Sequence, residues 1–330
     1  MKVVVTGGAG FIGSHLVELL SKKKEITKII IIDHLEDGSI KNIKHILKSS
    51  KVILKKNDIR DEKKISSLFK DINCVFHLAA MSDIVPSITD PKNYLETNIM
   101  GTMNVLEAMR ANNVKKIIYA ASSSCYGIPK KYPTKETEAI DTRYPYAFSK
   151  NIGEQMIQHW SKVYGIDYIS LRLFNAYGTR SRTHGAYGAA MGVFVKQKLS
   201  KKPFTVVGTG NQKRDFVNSK DIANAFYLSL ITSKKNKIYN VGFGKPTSIN
   251  NLLKLLGGKK TYIPKRPGEP FVTHANINLI KKDLGWSPKI SLKKGIQDIL
   301  LNKSYWLKSP LWTPNKIKKA TKDWFKYLNN

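Results

Sequence analysis

The sequence predicts an α/β protein in which a doubly wound parallel sheet is followed by a smaller C-terminal α/β lobe. Three observations support this fold class. Short runs of apolar, mostly β-branched residues alternate with segments of helical periodicity. The first such run leads directly into a glycine-rich turn and a helix. The length of 330 residues suffices for one large domain and a smaller lobe.

The glycine-rich turn is typical of a Rossmann-type nucleotide site. Residues 3–5 are three valines, residues 8–13 follow the pattern G-x-G-x-x-G, and a helix with apolar residues on one face follows. Glycines allow a pyrophosphate to approach the backbone at a helix N-terminus, where free N–H groups and the helix dipole favour anions. The predicted contacts with a dinucleotide are Gly7, Gly10, Phe11, Ile12 and Gly13.

An acid closes the second predicted strand, residues 29–32. Asp33 lies 20 residues after Gly13, where a carboxylate accepts hydrogen bonds from the adenosine ribose and repels a 2′-phosphate. The cofactor is therefore predicted to be NAD rather than NADP. The alternative is a glycine turn without a ligand and a solvent-facing Asp33.

Composition narrows the classes of function. The formal net charge of +32 could indicate a nucleic-acid partner, but the lysines are scattered and no nucleic-acid-binding motif accompanies them, so no specific nucleic acid is predicted. No 18-residue apolar run predicts a membrane span. The N-terminal apolar stretch is expected to be the first strand rather than a signal peptide. Cys74 and Cys125 indicate neither a disulfide framework nor a metal site, and a cytoplasmic location is predicted.

Three further segments are expected to lie near the cofactor. An acid after the third strand could accept from the adenine amino group or cap a helix. Small residues after the fourth strand, residues 74–80, allow a ring or a ribose to lie against the backbone. Asn98 interrupts the apolar face of a helix predicted over residues 92–112. It either bridges the backbone and a catalytic-site water or is a hydrogen-bonded core amide. The residues of these three segments that are predicted to bind the cofactor are Asp58, Ile59, Leu78, Ala79, Ala80 and Asn98.

The predicted catalytic groups follow the fifth strand. Ser122, Ser123 and Ser124 end an apolar strand, where buried hydroxyls are costly unless a polar ligand pairs with them. Tyr146 and Lys150 are spaced i,i+4 on a helix predicted to run to about residue 163 and so share one face. A neighbouring ammonium is expected to lower the pKa of the phenol and make it a usable base.

Together these motifs resemble the extended short-chain dehydrogenase/reductase family, and within it the nucleotide-sugar 4-epimerases and their dehydratase and decarboxylase relatives. The resemblance extends from residue 1 to about 300. It implies Tyr146 as the acid/base, Lys150 as the ligand of the nicotinamide ribose, and Ser122 as a hydrogen-bond partner of the sugar, with Ser124 beside it. It also implies a homodimer formed through the helices over residues 92–112 and 146–163.

The second half resembles the substrate-binding segments of the same family. The resemblance implies that Asn175 binds the substrate diphosphate, that Arg214 pairs with it, and that Arg266 acts at the nucleotide end, the arginine fork matching phosphate oxygens. A surface ion pair is the alternative for either arginine. Thr273 falls where the family has a residue that gates sugar size, and residues 120–127 resemble the segment of epimerases that act on UDP-N-acetylhexosamines.

The three serines that end the fifth predicted strand also discriminate among the reactions of this family. Family dehydratases carry Asp-Glu after the hydroxyl residue and family decarboxylases a glutamate two positions after it, whereas residues 122–124 are all serine. Tyr146 can remove the O4 proton while NAD takes the C4 hydride, and return of the hydride to the other face gives the C4 epimer. A 4-epimerase of a UDP-hexose or UDP-N-acetylhexosamine is therefore predicted. The alternatives are a dehydratase, a uronate epimerase or decarboxylase, a dinucleotide-sensing or nucleic-acid-binding protein, and an NADP-dependent reductase.

The predicted organisation has three parts. The nucleotide domain covers residues 1–174, with a return segment over about 215–247. The substrate lobe covers residues 175–214 and 248–300. The extension over residues 301–330 carries three tryptophans and is expected to form an amphipathic helix packed on the body, with a subunit contact or a membrane-surface role as alternatives. Its predicted N-cap is Thr313, followed by Pro314.

Overall fold

The fold class predicted from the sequence is confirmed in a computed structural model, which describes residues 1–181 and 190–328. The unassigned loop around His184-Gly185-Ala186-Tyr187 lies outside the described residues. The strands are β1 Lys2–Thr6, β2 Lys28–Ile32, β3 Val52–Lys55, β4 Cys74–His77, β5 Lys116–Ser122, β6 Asp167–Leu173, β7 Asn175–Tyr177, β8 Phe204–Val207, β9 Lys213–Arg214, β10 Phe216–Asn218, β11 Lys237–Val241, β12 Thr247–Ser248 and β13 Lys260–Ile263.

Helices connect these strands. They are α1 Phe11–Ser21, α2 Ile40–Ile43, α3 Glu62–Ile65, α4 Ile84–Thr89, α5 Pro91–Leu95, α6 Gly101–Ala111, α7 Pro145–Tyr164, α8 Ala190–Leu199, α9 Ser219–Ile231, α10 Ile249–Leu256, α11 Asn278–Leu284, α12 Leu292–Leu301, α13 Lys303–Leu307, α14 Pro314–Ala320 and α15 Lys322–Tyr327. Two 3₁₀ turns cover Ser66–Phe69 and Ser123–Tyr126, and a π-helical turn covers Glu96–Met100. No helix of the described residues is long and apolar enough to cross a membrane.

Seven strands form one parallel sheet, in the order β3-β2-β1-β4-β5-β6-β11. The order reverses between β1 and β4, and ligands of such sheets bind at this switch point, beyond the carboxyl ends of the strands. The glycine turn follows β1, the alanines follow β4 and the serines end β5, so all three predicted segments meet at that edge.

Apolar residues cover both faces of this sheet. On one face β1 and β2 pack against α1 and α9, through residues that include Leu16, Leu20 and Phe226. On the other face the strands pack against α6 and α7, through residues that include Leu106, Met109 and Ile157. The strands are therefore rigid supports for the loops that follow them, which is what a ligand site at the sheet edge requires.

A separate core lies in the C-terminal half. It includes residues of α8, α10 and α12 together with Trp306, packed around Phe204 and Val206 of β8. Three short strand pairs belong to this half: β8 with β13, β7 with β10, and β9 with β12. Strand β11 then returns to the main sheet beside β6.

The helix predicted over residues 92–112 is interrupted. It is built as α5, the π-helical turn and α6, and Asn98 lies in that turn. The Thr102 hydroxyl donates to the Asn98 carbonyl oxygen at 2.6 Å. Single π-turns of this kind commonly occur near functional sites.

The C-terminal extension contains three helices within its described residues, α13, α14 and α15. Thr313 caps α14 as predicted, since its hydroxyl accepts from the Lys316 N–H. Where the sequence predicts one helix after Thr313, the structure has two, separated at Thr321, whose hydroxyl donates to the Ile317 carbonyl. Ile317 and Trp324 are buried, at 4% and 1% exposure.

Candidate active site

The glycine turn lies close to the loop that follows β4. Gly7 has φ +70°, and a Cβ on it would lie 2.7 Å from the Ala79 nitrogen. A Cβ on Gly13 would lie 2.1 Å from the Gly7 carbonyl oxygen. Any larger residue at either position would displace the backbone, so these two glycines are required by the turn itself. Gly10 ends the turn as the N-cap of α1, with no side chain over the first helical N–H groups.

The same two loops are joined through Thr6, a residue that sequence analysis did not single out. Its hydroxyl accepts from the Leu78 and Ala79 N–H groups, both at 3.2 Å, and lies 2.7 Å from His77 Nδ1. His77 Nε2 lies 2.9 Å from the Thr102 hydroxyl, and burial lowers the His77 pKa to about 3. His77 is thus a neutral, hydrogen-bonded strand residue.

Asp33 is buried at the end of β2. Its carboxylate accepts from the Ala9 and Leu35 N–H groups, each at 2.9 Å. Burial raises the pKa of this carboxyl, and the two backbone hydrogen bonds oppose that shift. The solvent-facing alternative for Asp33 is wrong, because the side chain is 6% exposed and lines the cavity described below.

Asp58 also lines this cavity, and its carboxylate is already paired. It accepts from the Arg60 backbone N–H at 2.8 Å and from the Arg60 guanidinium at 2.6 and 2.9 Å. The cap of the following helix α3 is Asp61, whose side chain accepts from the Lys64 N–H. Asp58 therefore remains available to a ligand through the lone pairs that Arg60 does not occupy.

Asn98 does not line the cavity, and it is buried at 1% exposure. Its amide binds both backbone groups of Met81 and donates to the Ser149 hydroxyl at 2.9 Å. A direct contact of Asn98 with the cofactor stays a prediction. Asn98 is the hydrogen-bonded core amide of the two interpretations, and it positions Met81, which does line the cavity.

One cavity of about 500 Å³ contains the other predicted site residues. At the nucleotide end these are Gly7, Gly10, Phe11, Ile12, Gly13, Asp33, Asp58, Ile59, Leu78, Ala79 and Ala80. In the middle they are Ser122, Ser123, Ser124, Tyr146 and Lys150, and at the far end Asn175, Arg214, Arg266 and Thr273. Among the described residues, no cluster of three His, Cys, Asp or Glu side chains could hold a metal ion.

The middle of the cavity brings four reactive groups together. The Ser122 and Ser124 hydroxyls are hydrogen-bonded to each other, and both are hydrogen-bonded with the Tyr146 phenol. Lys150 is buried on the next turn of α7, with Nζ 4.1 Å from the centre of the Tyr119 ring. Burial lowers the Lys150 pKa to about 7, against the opposing influence of Glu154.

The predicted pKa of Tyr146 is wrong in direction. Burial raises it, and the hydrogen bonds with Ser122 and Ser124 only partly oppose that shift. Sequence spacing indicates correctly that Tyr146 and Lys150 share a helix face. It does not indicate that the cavity desolvates the phenolate, nor that the ammonium lies over the Tyr119 ring.

Glu154 is fixed below the reactive groups by a buried ion pair. Arg172 of β6 contacts its carboxylate at 2.5 Å, and the Ser170 hydroxyl donates to it at 2.6 Å. The Arg172 guanidinium also donates to the Tyr126 hydroxyl at 2.9 Å. This network joins α7, β6 and the 3₁₀ turn that follows β5.

Two arginines line the far end, and both are buried at 9% exposure. Arg214 contacts the Glu269 carboxylate at 2.5 Å and donates to the Lys213 carbonyl at 2.9 Å. A surface ion pair was the alternative considered for Arg214. Arg214 does form an ion pair, with Glu269, but the pair lies in the cavity wall and not on the surface. Nearby, the Thr273 hydroxyl donates to Asn175 Oδ1 at 2.6 Å, so these two predicted residues act as one unit.

Several residues that line the cavity were not predicted as site residues, among them Tyr144, Ile317 and Trp324. Tyr144 precedes α7, and the other two come from the C-terminal extension. The helical spacing of Ile317 and Trp324 in the extension is visible in the sequence, but the surface against which these two residues pack is not. The tyrosine at a helix N-cap position, where Ser, Thr, Asp and Asn are favoured, was a signal that could have drawn attention to Tyr144.

Residues 3–242 match the family described as the NAD dependent epimerase/dehydratase family. A relative in Methanocaldococcus jannaschii, whose name gives UDP-glucose 4-epimerase as a provisional assignment, is 37% identical over 308 residues, which cover 90% of this chain and 97% of that protein.

Solved structures show the same similarity. The UDP-N-acetylglucosamine 4-epimerase of Methanobrevibacter ruminantium, in complex with UDP-N-acetylmuramic acid, has a TM-score of 0.86 at 31% identity and covers 92% of this chain and 98% of its own. The UDP-glucuronic acid 4-epimerase of Bacillus cereus, in complex with UDP-glucuronic acid and NAD, has a TM-score of 0.84 at 31% identity, covering 97% of this chain and 99% of its own.

Proposed function

The chain belongs to the NAD dependent epimerase/dehydratase family, and we propose that it inverts C4 of a UDP-hexose or a UDP-N-acetylhexosamine. The NAD-dependent nucleotide-sugar 4-epimerases to which it is related are isomerases. They differ among themselves in the sugar they act on, so the choice of sugar here depends on this chain's own site.

The observation that carries the proposal is the make-up of the reacting centre. A phenol, two serine hydroxyls and a buried lysine meet in one cavity, between a glycine turn and two buried arginines. No carboxylate occurs among residues 120–127, which form this wall. A reaction that only removes and returns the O4 proton needs no further acid on the serine turn, which favours epimerisation over loss of water or CO₂.

The residues present fit the cofactor that the family uses. We propose that the glycine turn and the N-terminus of α1 hold the pyrophosphate, that Asp33 holds the adenosine ribose, and that Lys150 holds the nicotinamide ribose. Ala79 and Ala80 leave flat, open backbone beside them. When bound, NAD supplies reversible hydride transfer at the sugar C4.

Tyr146 is the proposed acid and base. Its phenolate takes the O4 proton, and the resulting phenol returns a proton after the sugar has turned over. The hydrogen bonds with Ser122 and Ser124 stabilise the phenolate and orient its oxygen. Burial opposes ionisation of Tyr146, so the ammonium of Lys150 and the positive charge of the oxidised nicotinamide are needed to offset it.

The far end of the cavity fits a nucleoside diphosphate. Arg214 and Arg266 supply buried positive charge, and the Asn175–Thr273 pair supplies a polar wall. We propose that they bind the diphosphate and border the sugar, as predicted from the sequence. The predicted domain boundaries belong to this proposal as well, with the substrate lobe supplying Arg214, Arg266 and Thr273.

A homodimer is also proposed. The outer face of α5, α6 and α7 leaves apolar side chains at the surface, among them Met100 at 46% and Phe148 at 44% exposure. A second copy of this chain packed on the same helices would cover them, as the sequence resemblance implies. The cytoplasmic location and the lack of a specific nucleic-acid partner stay predictions.

The direct test is incubation of purified protein with UDP-glucose, UDP-N-acetylglucosamine and UDP-glucuronate, followed by proton NMR of the sugar C4 position. We expect epimer formation from one of the first two. Loss of mass corresponding to water or CO₂ would instead support a dehydratase or decarboxylase. No change in any of the three with NAD added would contradict the proposal.

Asp33→Asn tests the cofactor assignment. The amide keeps the size of the side chain, but only one of its two polar atoms can accept, so it cannot serve both the Ala9 and Leu35 N–H groups and a ribose. We expect NAD affinity to fall by about tenfold or more, with a smaller loss for NADP because the negative charge is gone. Asp71→Asn, at an exposed position, is the matched control. Unchanged NAD affinity in Asp33→Asn would contradict the assignment.

A further inference from the structure

The C-terminal extension reaches the candidate active site. Ile317 of α14 and Trp324 of α15 line the same cavity as Tyr146, and both are buried. Trp324 anchors the extension at this position, since its Nε1–H donates to the Pro267 carbonyl at 2.8 Å. Pro267 directly follows Arg266, so the extension is joined to the loop that carries one of the two cavity arginines.

Trp324 also supports Tyr144. The two ring centres are 6.0 Å apart with the ring planes at 39°. Aromatic pairs at this separation attract each other beyond the burial of their surfaces. Trp324 therefore connects two parts of the cavity wall, the beginning of α7 and the loop at Pro267.

Tyr144 occupies a backbone position at which a different side chain would stabilise the helix. It is the N-cap of α7, with extended backbone and no hydrogen bond from its side chain to the first turn. A serine, threonine or aspartate there would accept from a free N–H of the first turn and stabilise the helix. Residues that break a local rule in this way are expected at functional sites.

The surroundings of Tyr144 place it beside the sugar. Tyr144 lies two residues before the reacting Tyr146 and lines the same cavity as Tyr146 and Ser124. On its other side, its ring packs against Trp324, whose Nε1–H donates to the carbonyl of Pro267, the residue after Arg266. Tyr144 thus lies between the proposed base and the proposed diphosphate site, and the sugar ring has to span that interval.

We propose that Tyr144, held in place by Trp324 of the C-terminal extension, is a specificity-determining residue that forms one wall of the sugar subsite. Its ring offers an apolar surface to the C–H groups of a hexose, and its hydroxyl offers one polar contact. This inference rests on the proposed function, because it takes a nucleotide sugar as the ligand. It assigns to the extension a role in substrate choice rather than in stability alone.

The test compares Tyr144→Ser and Trp324→Ala with Tyr327→Ala, a change at an exposed position of the same helix α15. Serine is a favoured N-cap residue, so Tyr144→Ser opens the wall without weakening α7. We expect both wall variants to shift the ratio of kcat/KM for UDP-N-acetylglucosamine over UDP-glucose by about tenfold or more, in the same direction, towards the larger sugar. KM should change more than kcat, and in Tyr144→Ser the affinities for UDP and NAD should stay unchanged.

An unchanged sugar ratio in Tyr144→Ser, in a preparation whose wild type is active, would overturn the inference. Trp324→Phe serves if Trp324→Ala fails to fold, because it keeps the ring contact and removes only the hydrogen bond to Pro267. If the wild type epimerises neither sugar, the proposed function fails first. Calorimetry then decides the inference: Tyr144→Ser is expected to bind UDP as the wild type does but UDP-glucose more weakly, and equal affinities for UDP-glucose would overturn it.

Discussion

Replacing Tyr146 with phenylalanine is expected to lower the rate of C4 inversion by about 10³-fold, the usual range for loss of a positioned acid and base. The ring and its packing on α7 remain, and only the hydroxyl that lies with Ser122 and Ser124 is lost. The fold and the affinity for NAD are therefore expected to be unchanged. The rate is measured by proton NMR, and NAD affinity by calorimetry.

The pH dependence gives an independent check on Tyr146. Because burial raises its pKa, the reactive phenolate is the minor form at neutral pH, and its fraction grows with pH. The wild-type rate should therefore rise with pH below about 7 and level off above it, where Lys150 loses the proton that helps to stabilise the phenolate. The residual rate of Tyr146→Phe should lack that rise. Tyr164→Phe, an exposed position at the end of the same helix, is the matched control. A near-normal rate for Tyr146→Phe would show that another group is the base.

Replacing Lys150 with methionine is expected to stabilise the cofactor-free protein while it removes most of the activity. Burial of the ammonium lowers the Lys150 pKa from 10.5 to about 7, a shift that corresponds to an unfavourable contribution of at most about 5 kcal/mol at low pH. Methionine has a similar length and no charge, and it gives up the ammonium contact with the Tyr119 ring. We expect the free energy of unfolding to rise by about 2–4 kcal/mol at pH 6.

The size of this gain in stability depends on pH. Between pH 7 and 10.5 the unfolded chain binds a proton on Lys150 that the folded chain does not, so wild-type stability rises with pH across that window. The advantage of Lys150→Met is therefore largest below pH 7 and shrinks above it. Denaturant unfolding at pH 6 and pH 9 measures both, with Lys162→Met, an exposed position on α7, as control. Destabilisation at pH 6 would show that Lys150 is not a buried, unfavourable charge.

Together these two variants distinguish effects on the reaction rate from effects on the stability of the fold. Tyr146→Phe should change the rate and not the stability, whereas Lys150→Met should change both in opposite directions. A site that carries a stabilising ion pair would behave differently, because removal of one partner would cost stability. Glu154 is not left unpaired by Lys150→Met, since Arg172 and Ser170 already bind its carboxylate.

Much of the nucleotide site was predictable, because its signals are local. The turn at Gly7, Gly10 and Gly13, and the acid at Asp33, depend on spacings of a few residues within successive strands and helices. The parallel sheet then brings those segments to one edge regardless of the rest of the chain. The i,i+4 spacing of Tyr146 and Lys150 is local in the same sense.

Other features could not be predicted, because they depend on contacts between distant segments. Asn98 binds Met81, and the amide alone does not reveal which interpretation applies. The pKa of Tyr146 is raised because the whole cavity desolvates it, a property of every wall at once.

The fold class and the cofactor follow from residue types at fixed short spacings, and the same kind of spacing places Tyr146 and Lys150 on one helix face. The residues that line the proposed sugar subsite are visible only in the tertiary structure. Tyr144 and Trp324 are 180 residues apart in the sequence, and their contact forms only when the extension folds back over the cavity. Helical periodicity predicts that Trp324 is buried, but it carries no information on the surface that buries it.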